Sequence, residues 1–77
     1  MAMGWWVAEK SAPSVLVGPT EVGQDAAKRV ALAKSTANPG TVFQVRYHAN
    51  ANAPTEVRWE AANGTMTEVT GDAQRRL

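Results

Sequence analysis

Two segments in the second half of the chain alternate between apolar and polar residues, which is the pattern of half-buried β-strands. They cover residues 41–49 and 56–61. The second segment is followed by Asn63-Gly64, a dipeptide typical of a tight hairpin turn, and by a returning strand over residues 65–70. In a chain of only 77 residues, this pattern restricts the fold to a small domain built on antiparallel strands.

The first residues of the chain predict a second hairpin. Residues 5–8 are aromatic and β-branched, residues 11–13 contain a proline that breaks the strand, and residues 14–17 are again suited to a strand. Trp5 and Trp6 are adjacent, so their side chains must point to opposite faces of the sheet. One tryptophan is therefore expected outside the main core.

Between the two hairpins, residues 24–37 predict an amphipathic helix, which Asn38-Pro39-Gly40 ends. Its apolar residues recur at spacings of three and four. The expected buried stripe consists of Ala26, Val30, Ala33 and Ala37. Ser35 is expected on the opposite side, and the stripe is expected to meet the face of the third strand that carries Phe43, Val45 and Tyr47.

These elements predict an α+β fold in the order β-β-α-β-β-β. One helix covers one face of a single antiparallel sheet of about five strands. Residues 1–70 are expected to form one compact domain, with residues 71–77 as a flexible C-terminal tail.

Composition excludes several classes of protein. The chain has no cysteine, so it has neither disulfides nor thiolate metal ligands, and the cytoplasm is its expected location. No apolar run approaches the length of a membrane span, so we expect no membrane association. Eight Lys and Arg residues against seven Asp and Glu residues give a net charge of +1, far below that of a dedicated nucleic-acid-binding protein.

Catalytic patterns are also missing from the sequence. His48 is the only histidine, and we expect it to lie half-exposed at a strand end rather than to bind a metal. Glu56 and Glu60 share one face of an ideal strand but lie about 13 Å apart, too far for a pair of catalytic carboxylates. No nucleophile triad or glycine-rich phosphate loop is present. We therefore expect no enzyme activity, no cofactor and no metal.

Four basic residues are the candidate partner-binding residues: Lys28, Arg29 and Lys34 of the helix, and Arg46 of the third strand. On a helical wheel, Lys28 is expected to point away from the alanine stripe, whereas Arg29 and Lys34 flank it. Two interpretations remain open. These charges either contact a macromolecule or belong to an ordinary solvated surface, with the stems of Arg29 and Lys34 covering the sheet edges.

The tryptophan that faces away from the helix has two interpretations as well. It either joins a second small apolar cluster with Val15, Val17 or Val42, or it forms an anchor for a protein partner or a dimer. The chain is expected to be a monomer or a homodimer.

The segment Ala27-Lys28-Arg29-Val30-Ala31, followed by Gly40 to Val45, resembles the helix-to-strand segment of a small phage anti-CRISPR family. That family inhibits the type I-F surveillance complex, and its element order is the same. The resemblance implies an inhibitor that docks on the backbone subunits of Cascade and blocks the channel where target DNA pairs with the guide. It further implies that Lys28 and Arg29 contribute to the binding surface, with Lys34 as a looser correspondence and with nonspecific DNA contact by neighbouring basic residues.

Two other classes of function remain open on the sequence. One is an accessory domain that binds nucleic acid, with the four candidate residues and Arg75-Arg76 contacting phosphates. The other is a small phage structural or assembly module that dimerises through the uncovered face of its sheet.

Overall fold

The computed structural model of this protein describes residues 4–18, 23–50 and 52–69. Within these residues, five strands form one antiparallel sheet and one helix packs on it. In chain order, the elements are β1 (Gly4–Glu9), β2 (Ala12–Leu16), α1 (Gln24–Ala37), β3 (Phe43–His48), β4 (Glu56–Ala62) and β5 (Thr65–Glu68). The predicted class and element order are confirmed. The predicted tail and the domain boundary at residue 70 lie outside the described residues.

The strands lie in the order β2-β1-β3-β4-β5 across the sheet, and every neighbouring pair is antiparallel. β1 and β3 are therefore central, while β2 and β5 form the edges. Helix α1 connects the edge strand β2 with β3, and it contacts β1, β3, β4 and β5. This crossing places the helix on one face, called here the helix face; the opposite side of the sheet is called the open face.

The hairpin between β4 and β5 turns at Asn63-Gly64, as predicted. Both residues have positive φ angles, 52° and 77°, which is the requirement of a type I′ turn. The side-chain oxygen of Asn63 accepts a hydrogen bond of 3.1 Å from the backbone N–H of Gly40. This bond ties the hairpin to the segment that follows the helix.

The side of the helix that packs on the sheet differs from the predicted buried stripe by a shift of about one residue. Ala27, Ala31 and Ser35 are fully buried, whereas Ala33 and Ala37, which were expected in the stripe, are exposed. Alanines occur on several sides of this helix, so their spacing alone did not determine which side packs on the sheet. The three buried positions are four residues apart, which is one face of an α-helix.

Ser35 is fully buried, and its hydroxyl group acts both as a hydrogen-bond donor and as an acceptor. Its Oγ donates to the carbonyl oxygen of Leu32 at 2.8 Å and accepts from the backbone N–H of Gly64 at 3.0 Å. The small serine lets the helix approach the β4–β5 hairpin closely. This hydroxyl therefore joins the last turns of the helix to the hairpin turn.

The core lies between the helix and the sheet, and the prediction that Phe43 and Val45 meet the helix is confirmed. The buried members of this core are Val7, Ala27, Ala31, Phe43, Val45 and Ala61. Half-buried residues pack around them, including Trp5, Val30 and Trp59. The aromatic rings of the strands supply the volume that the helix alanines lack.

Strand β4 contains a β-bulge that the alternating sequence pattern did not reveal. Val45 pairs with Trp59, but the next residue, Arg46, pairs with Val57. Arg58 is thus the extra residue of the bulge. Because a bulge shifts the alternation of side chains, the residues before it lie on faces opposite to those that strict alternation predicts.

The expectation that Glu56 and Glu60 share a face is wrong for this reason. Glu56 pairs with Tyr47, which lies on the helix face, whereas Glu60 pairs with Gln44 on the open face. The two carboxylates are separated by the sheet.

Candidate functional site

Three aromatic residues and two cations lie together on the helix face, at the end of the sheet where β1 begins and β3 ends. They are Trp5, Lys28, Tyr47, Arg58 and Trp59, called here the aromatic–cation cluster. β1, β3 and β4 supply the rings and Arg58, while the helix supplies Lys28. All five residues are half-buried. The cluster therefore presents aromatic and cationic surface on three adjacent strands and the helix packed against them.

The rings of the cluster pack on one another. The centroids of Trp5 and Tyr47 lie 4.7 Å apart with an angle of 44° between the ring planes. Those of Trp5 and Trp59 lie 5.7 Å apart at 43°. These separations are typical of favourable aromatic pairs. Trp5 joins the other two rings and so holds the cluster together.

Each cation lies over a ring face. Lys28 Nζ is 4.4 Å from the centroid of Trp59. Arg58 Cζ is 5.6 Å from the centroid of Trp5 and 5.4 Å from that of Tyr47. Arg58 Nε also donates to Glu56 Oε1 at 3.0 Å, in an ion pair whose side chains are 42% and 53% exposed. A cation over an aromatic face is attracted by the electron density of the ring.

The positions of the helix cations differ from the helical-wheel prediction. Lys28, expected to point away from the sheet, is half-buried beside the packed stripe, and Lys34 is half-buried on the other side of that stripe. Arg29, expected to flank the stripe, is exposed and lies on the outer side of the helix. The difference follows from the displaced stripe. Within the described residues, none of the three forms an ion pair with a carboxylate.

Arg46 lies apart from the helix cations, on the open face. Its Nε and Nη2 donate to Gln44 Oε1, and its Cζ is 5.6 Å from the centroid of Trp6. Burial lowers the pKa of Arg46, although the guanidinium stays charged at neutral pH. The four predicted binding residues therefore do not form one site.

The open face carries a polar network around Arg46. Gln44 Nε2 donates to Glu60 Oε2 at 3.0 Å, and Lys10 Nζ lies 3.7 Å from the same carboxylate oxygen. Glu60 is thus paired with Lys10 and Gln44. Within the described residues, the one hydrogen-bond acceptor of the Arg46 side chain is Gln44 Oε1.

Trp5 and Trp6 point to opposite faces, as predicted, but the open-face residue Trp6 is buried, with 8% of its surface exposed. It lies beneath Arg46, whereas Val17 packs against the helix-side core and Val15 is 55% exposed. The expectation of a half-exposed His48 is wrong as well. His48 is 5% exposed, and its Nδ1 lies 3.0 Å from Thr55 Oγ1.

Of the five cluster residues, sequence analysis selected Lys28 alone as a binding residue. It missed the three rings and Arg58, and Arg58 is the one that it also assigned to the wrong face of the sheet. In the alternating segment 56–61, strict alternation puts Arg58 and its neighbour Trp59 on opposite faces. Only the bulge brings Arg58 against Trp5 and Tyr47. No signal in the sequence marks this bulge, because β4 has neither glycine nor proline at that point.

A depression of about 190 Å³ lies near the C-terminal end of the helix, between Lys34, Asn38 and Phe43, and it is smaller than the ~300–1,000 Å³ of a typical ligand pocket. Within the described residues, no group of three or more His, Asp or Glu side chains is arranged to hold a metal ion. Across the same residues, α1 is too short and too polar to cross a lipid bilayer.

Comparison of the chain with protein-family models, with curated proteins and with solved structures found no match.

Proposed function

We propose that this protein is a protein-binding module and that the aromatic–cation cluster is the centre of its interface. The observation that carries the proposal is the packing of two tryptophans and a tyrosine with Lys28 and Arg58 in one half-buried group. Trp, Tyr and Arg are the residue types that most often dominate protein–protein binding energy. Because the rings already contact one another, little conformational freedom is lost when a partner binds.

The arrangement of the cations favours a protein partner over a nucleic acid. Proteins that bind single strands offer free aromatic faces on which bases stack. Here Lys28 lies over the face of Trp59, and Arg58 lies over those of Trp5 and Tyr47. A base would have to displace these cations, whereas a protein carboxylate can bind the cations without uncovering the rings. The net charge of +1 supports the same choice.

As the partner, we propose the backbone subunit of a type I CRISPR Cascade complex in the cytoplasm of an infected cell. The protein would act as a stoichiometric anti-CRISPR inhibitor that covers the channel where target DNA pairs with the guide. The support is the sequence resemblance around Lys28 and Arg29 together with the positions of these residues. Lys28 belongs to the cluster, and Arg29 is exposed on the adjacent outer surface of the helix.

The experiment measures target-DNA binding by purified type I Cascade in a mobility-shift assay with increasing amounts of this protein. We expect loss of the shifted band near stoichiometric protein and little loss with the Lys28→Glu/Arg29→Glu variant. A matched control, Thr67→Glu, adds negative charge on the exposed β5 strand away from the cluster and should inhibit like the wild type.

Two results would contradict the proposal. Normal DNA binding by Cascade in the presence of excess protein would eliminate Cascade as the target. Tight binding of the isolated protein to DNA, with affinity that falls steeply as salt is raised, would instead identify a nucleic-acid-binding domain.

A further inference from the structure

Among the residues that the structure describes, two buried nitrogen atoms on the open face have no hydrogen-bond partner: Trp6 Nε1 and His48 Nε2. Both belong to residues that are more than nine-tenths buried, at 8% and 5% exposure. Buried polar groups in folded proteins nearly always have a partner, because the hydrogen bond to water that they lose must be replaced. These two nitrogens therefore mark a place where an acceptor is expected.

The register of the sheet brings both residues next to Arg46. Trp6 is directly opposite Arg46, and Gly4 is opposite His48, so Trp6 is a diagonal neighbour of His48. Arg46 and His48 are two residues apart on β3 and share the open face. The guanidinium carbon of Arg46 is 5.6 Å from the centroid of the Trp6 ring. The indole, the guanidinium and the imidazole thus belong to neighbouring residues on one face of two paired strands.

All three groups are able to donate hydrogen bonds there. An indole N–H is a donor only, and a guanidinium has five N–H donors. Arg46 uses its Nε and Nη2 on a single acceptor, Gln44 Oε1, which leaves further donors. His48 Nδ1 lies 3.0 Å from Thr55 Oγ1, and when the threonine hydroxyl donates to Nδ1, the hydrogen of the imidazole is on Nε2.

Among the described residues, these donors have no negatively charged partner. Glu60, a carboxylate of the same face, is already paired with Lys10 and Gln44. Burial lowers the pKa of Arg46, because removing a cation from water disfavours its charged form. An oxyanion would neutralise the guanidinium and accept from the indole and the imidazole at once.

We propose that Trp6, Arg46 and His48 form a binding site for a small oxyanion, a carboxylate or phosphate group. Because the two nitrogens lie beneath the surface and Arg46 lies over Trp6, the anion enters as the half-buried Arg46 side chain moves aside and is then held by it. The site is on the open face, opposite the aromatic–cation cluster, and it does not depend on the function proposed above.

The test uses the three tryptophan side chains as reporters in a two-dimensional ¹⁵N–¹H NMR spectrum of the full chain. Acetate and inorganic phosphate are titrated separately, with sodium chloride at matched ionic strength as the control. We expect a saturable shift of the Trp6 indole N–H signal with at least one oxyanion, while the signals of Trp5 and Trp59, on the helix face, stay unchanged. Saturation with acetate alone identifies a carboxylate site, and saturation with phosphate alone identifies a phosphate site.

Variants test the roles of the residues. Arg46→Gln removes the charge and should weaken binding by about tenfold or more, which is the typical effect of losing a charged hydrogen-bond donor. Trp6→Phe keeps an aromatic ring but removes the indole N–H, so the signal that disappears is that of Trp6. In this variant, binding of the oxyanion is followed through the ring signals of His48, and we expect it to be several-fold weaker. Asp25→Asn also changes one charge, at the exposed start of the helix, and should leave the affinity unchanged.

Three results would overturn the proposal. One is the absence of a saturable Trp6 shift with either oxyanion, which would mean that water satisfies these nitrogens. Another is an equal shift with chloride. The third is an unchanged midpoint in Arg46→Gln. None of these measurements involves a protein partner, so a negative result here does not affect the protein-binding proposal. Equally, a negative result with Cascade does not affect the proposed oxyanion site.

Discussion

The ammonium nitrogen of Lys28 lies 4.4 Å from the centroid of the Trp59 ring, so a cation of the helix is held directly over an aromatic ring of the sheet. The contact joins α1 to β4 at the surface of the core. It also gives Lys28 two roles, in the stability of the fold and in the proposed interface.

Replacing Lys28 with Gln should therefore destabilise the protein. The variant keeps most of the stem but loses the cation over the ring, which is worth about 0.5–1 kcal/mol of unfolding free energy. Urea denaturation followed by tryptophan fluorescence measures the change. The matched control is Arg29→Gln on the exposed side of the same helix, where we expect a change within about 0.5 kcal/mol. Equal losses in the two variants would show that helix charge in general, and not the ring contact, is responsible.

Removing the buried hydroxyl of Ser35 should have a larger effect. Ser35→Ala removes two hydrogen bonds, the one to the Leu32 carbonyl and the one from the Gly64 N–H, and each is worth about 0.5–1.5 kcal/mol. Hydrogen exchange at the Gly64 amide should become faster in the variant. Thr36→Ala is the control, because the exposed Thr36 hydroxyl donates to the same Leu32 carbonyl and leaves no amide unpaired. A stable Ser35→Ala protein with slow exchange at Gly64 would refute this account.

A pair of leucine substitutions tests which side of the helix is buried. Ala31→Leu inserts volume where no surface is exposed, and we expect it to destabilise the protein by about 1–3 kcal/mol. Ala33→Leu places the same side chain on the exposed side and should change the stability by less than about 0.5 kcal/mol. Thermal or urea denaturation measures both. The opposite ranking would support the stripe that the sequence predicted.

The start of the helix offers a stabilising change. Gly23, the N-cap residue, has φ −79° and ψ 173°, makes no side-chain capping bond and has open space around an added Cβ. Gly23→Ser should add a capping hydroxyl and reduce the freedom of the unfolded chain, raising the unfolding free energy by about 0.5–1 kcal/mol.

Gly4→Ser is the matched control for that change. The space around Gly4 is also open, but its φ is +86°, so a side chain there should cost about 1–2 kcal/mol. Similar effects in Gly23→Ser and Gly4→Ser would contradict the backbone argument, since the two positions differ in φ and not in available space.

The elements of the fold were predictable because their signals are local. Proline and glycine after Asn38 end the helix, and the Asn63-Gly64 turn has the positive φ angles that its sequence predicts. Alternation correctly placed Phe43 and Val45 on the helix face. Each of these features depends on residues that are near neighbours in the chain.

The candidate site was predictable only in part. Lys28 was selected as a binding residue, and the adjacent tryptophans were assigned correctly to opposite faces. Their surroundings were not predictable, because a helix with alanine on several sides has no unique packing side in its sequence. The displacement of the stripe by one residue brings Lys28 against Trp59 and leaves Arg29 in solvent.

The sequence by itself determined the order of the strands and the helix along the chain, the hairpin turn at Asn63-Gly64 and the absence of disulfides. Only the tertiary structure decided how the helix is rotated on the sheet, that Arg58 is turned by a bulge onto Trp5 and Tyr47, and that Trp6 and His48 are buried beside Arg46. The physical reason is how far apart in the chain the interacting residues lie. Turn chemistry and alternation act between neighbours in the chain, whereas a cation over a ring depends on residues that only the packed sheet brings together.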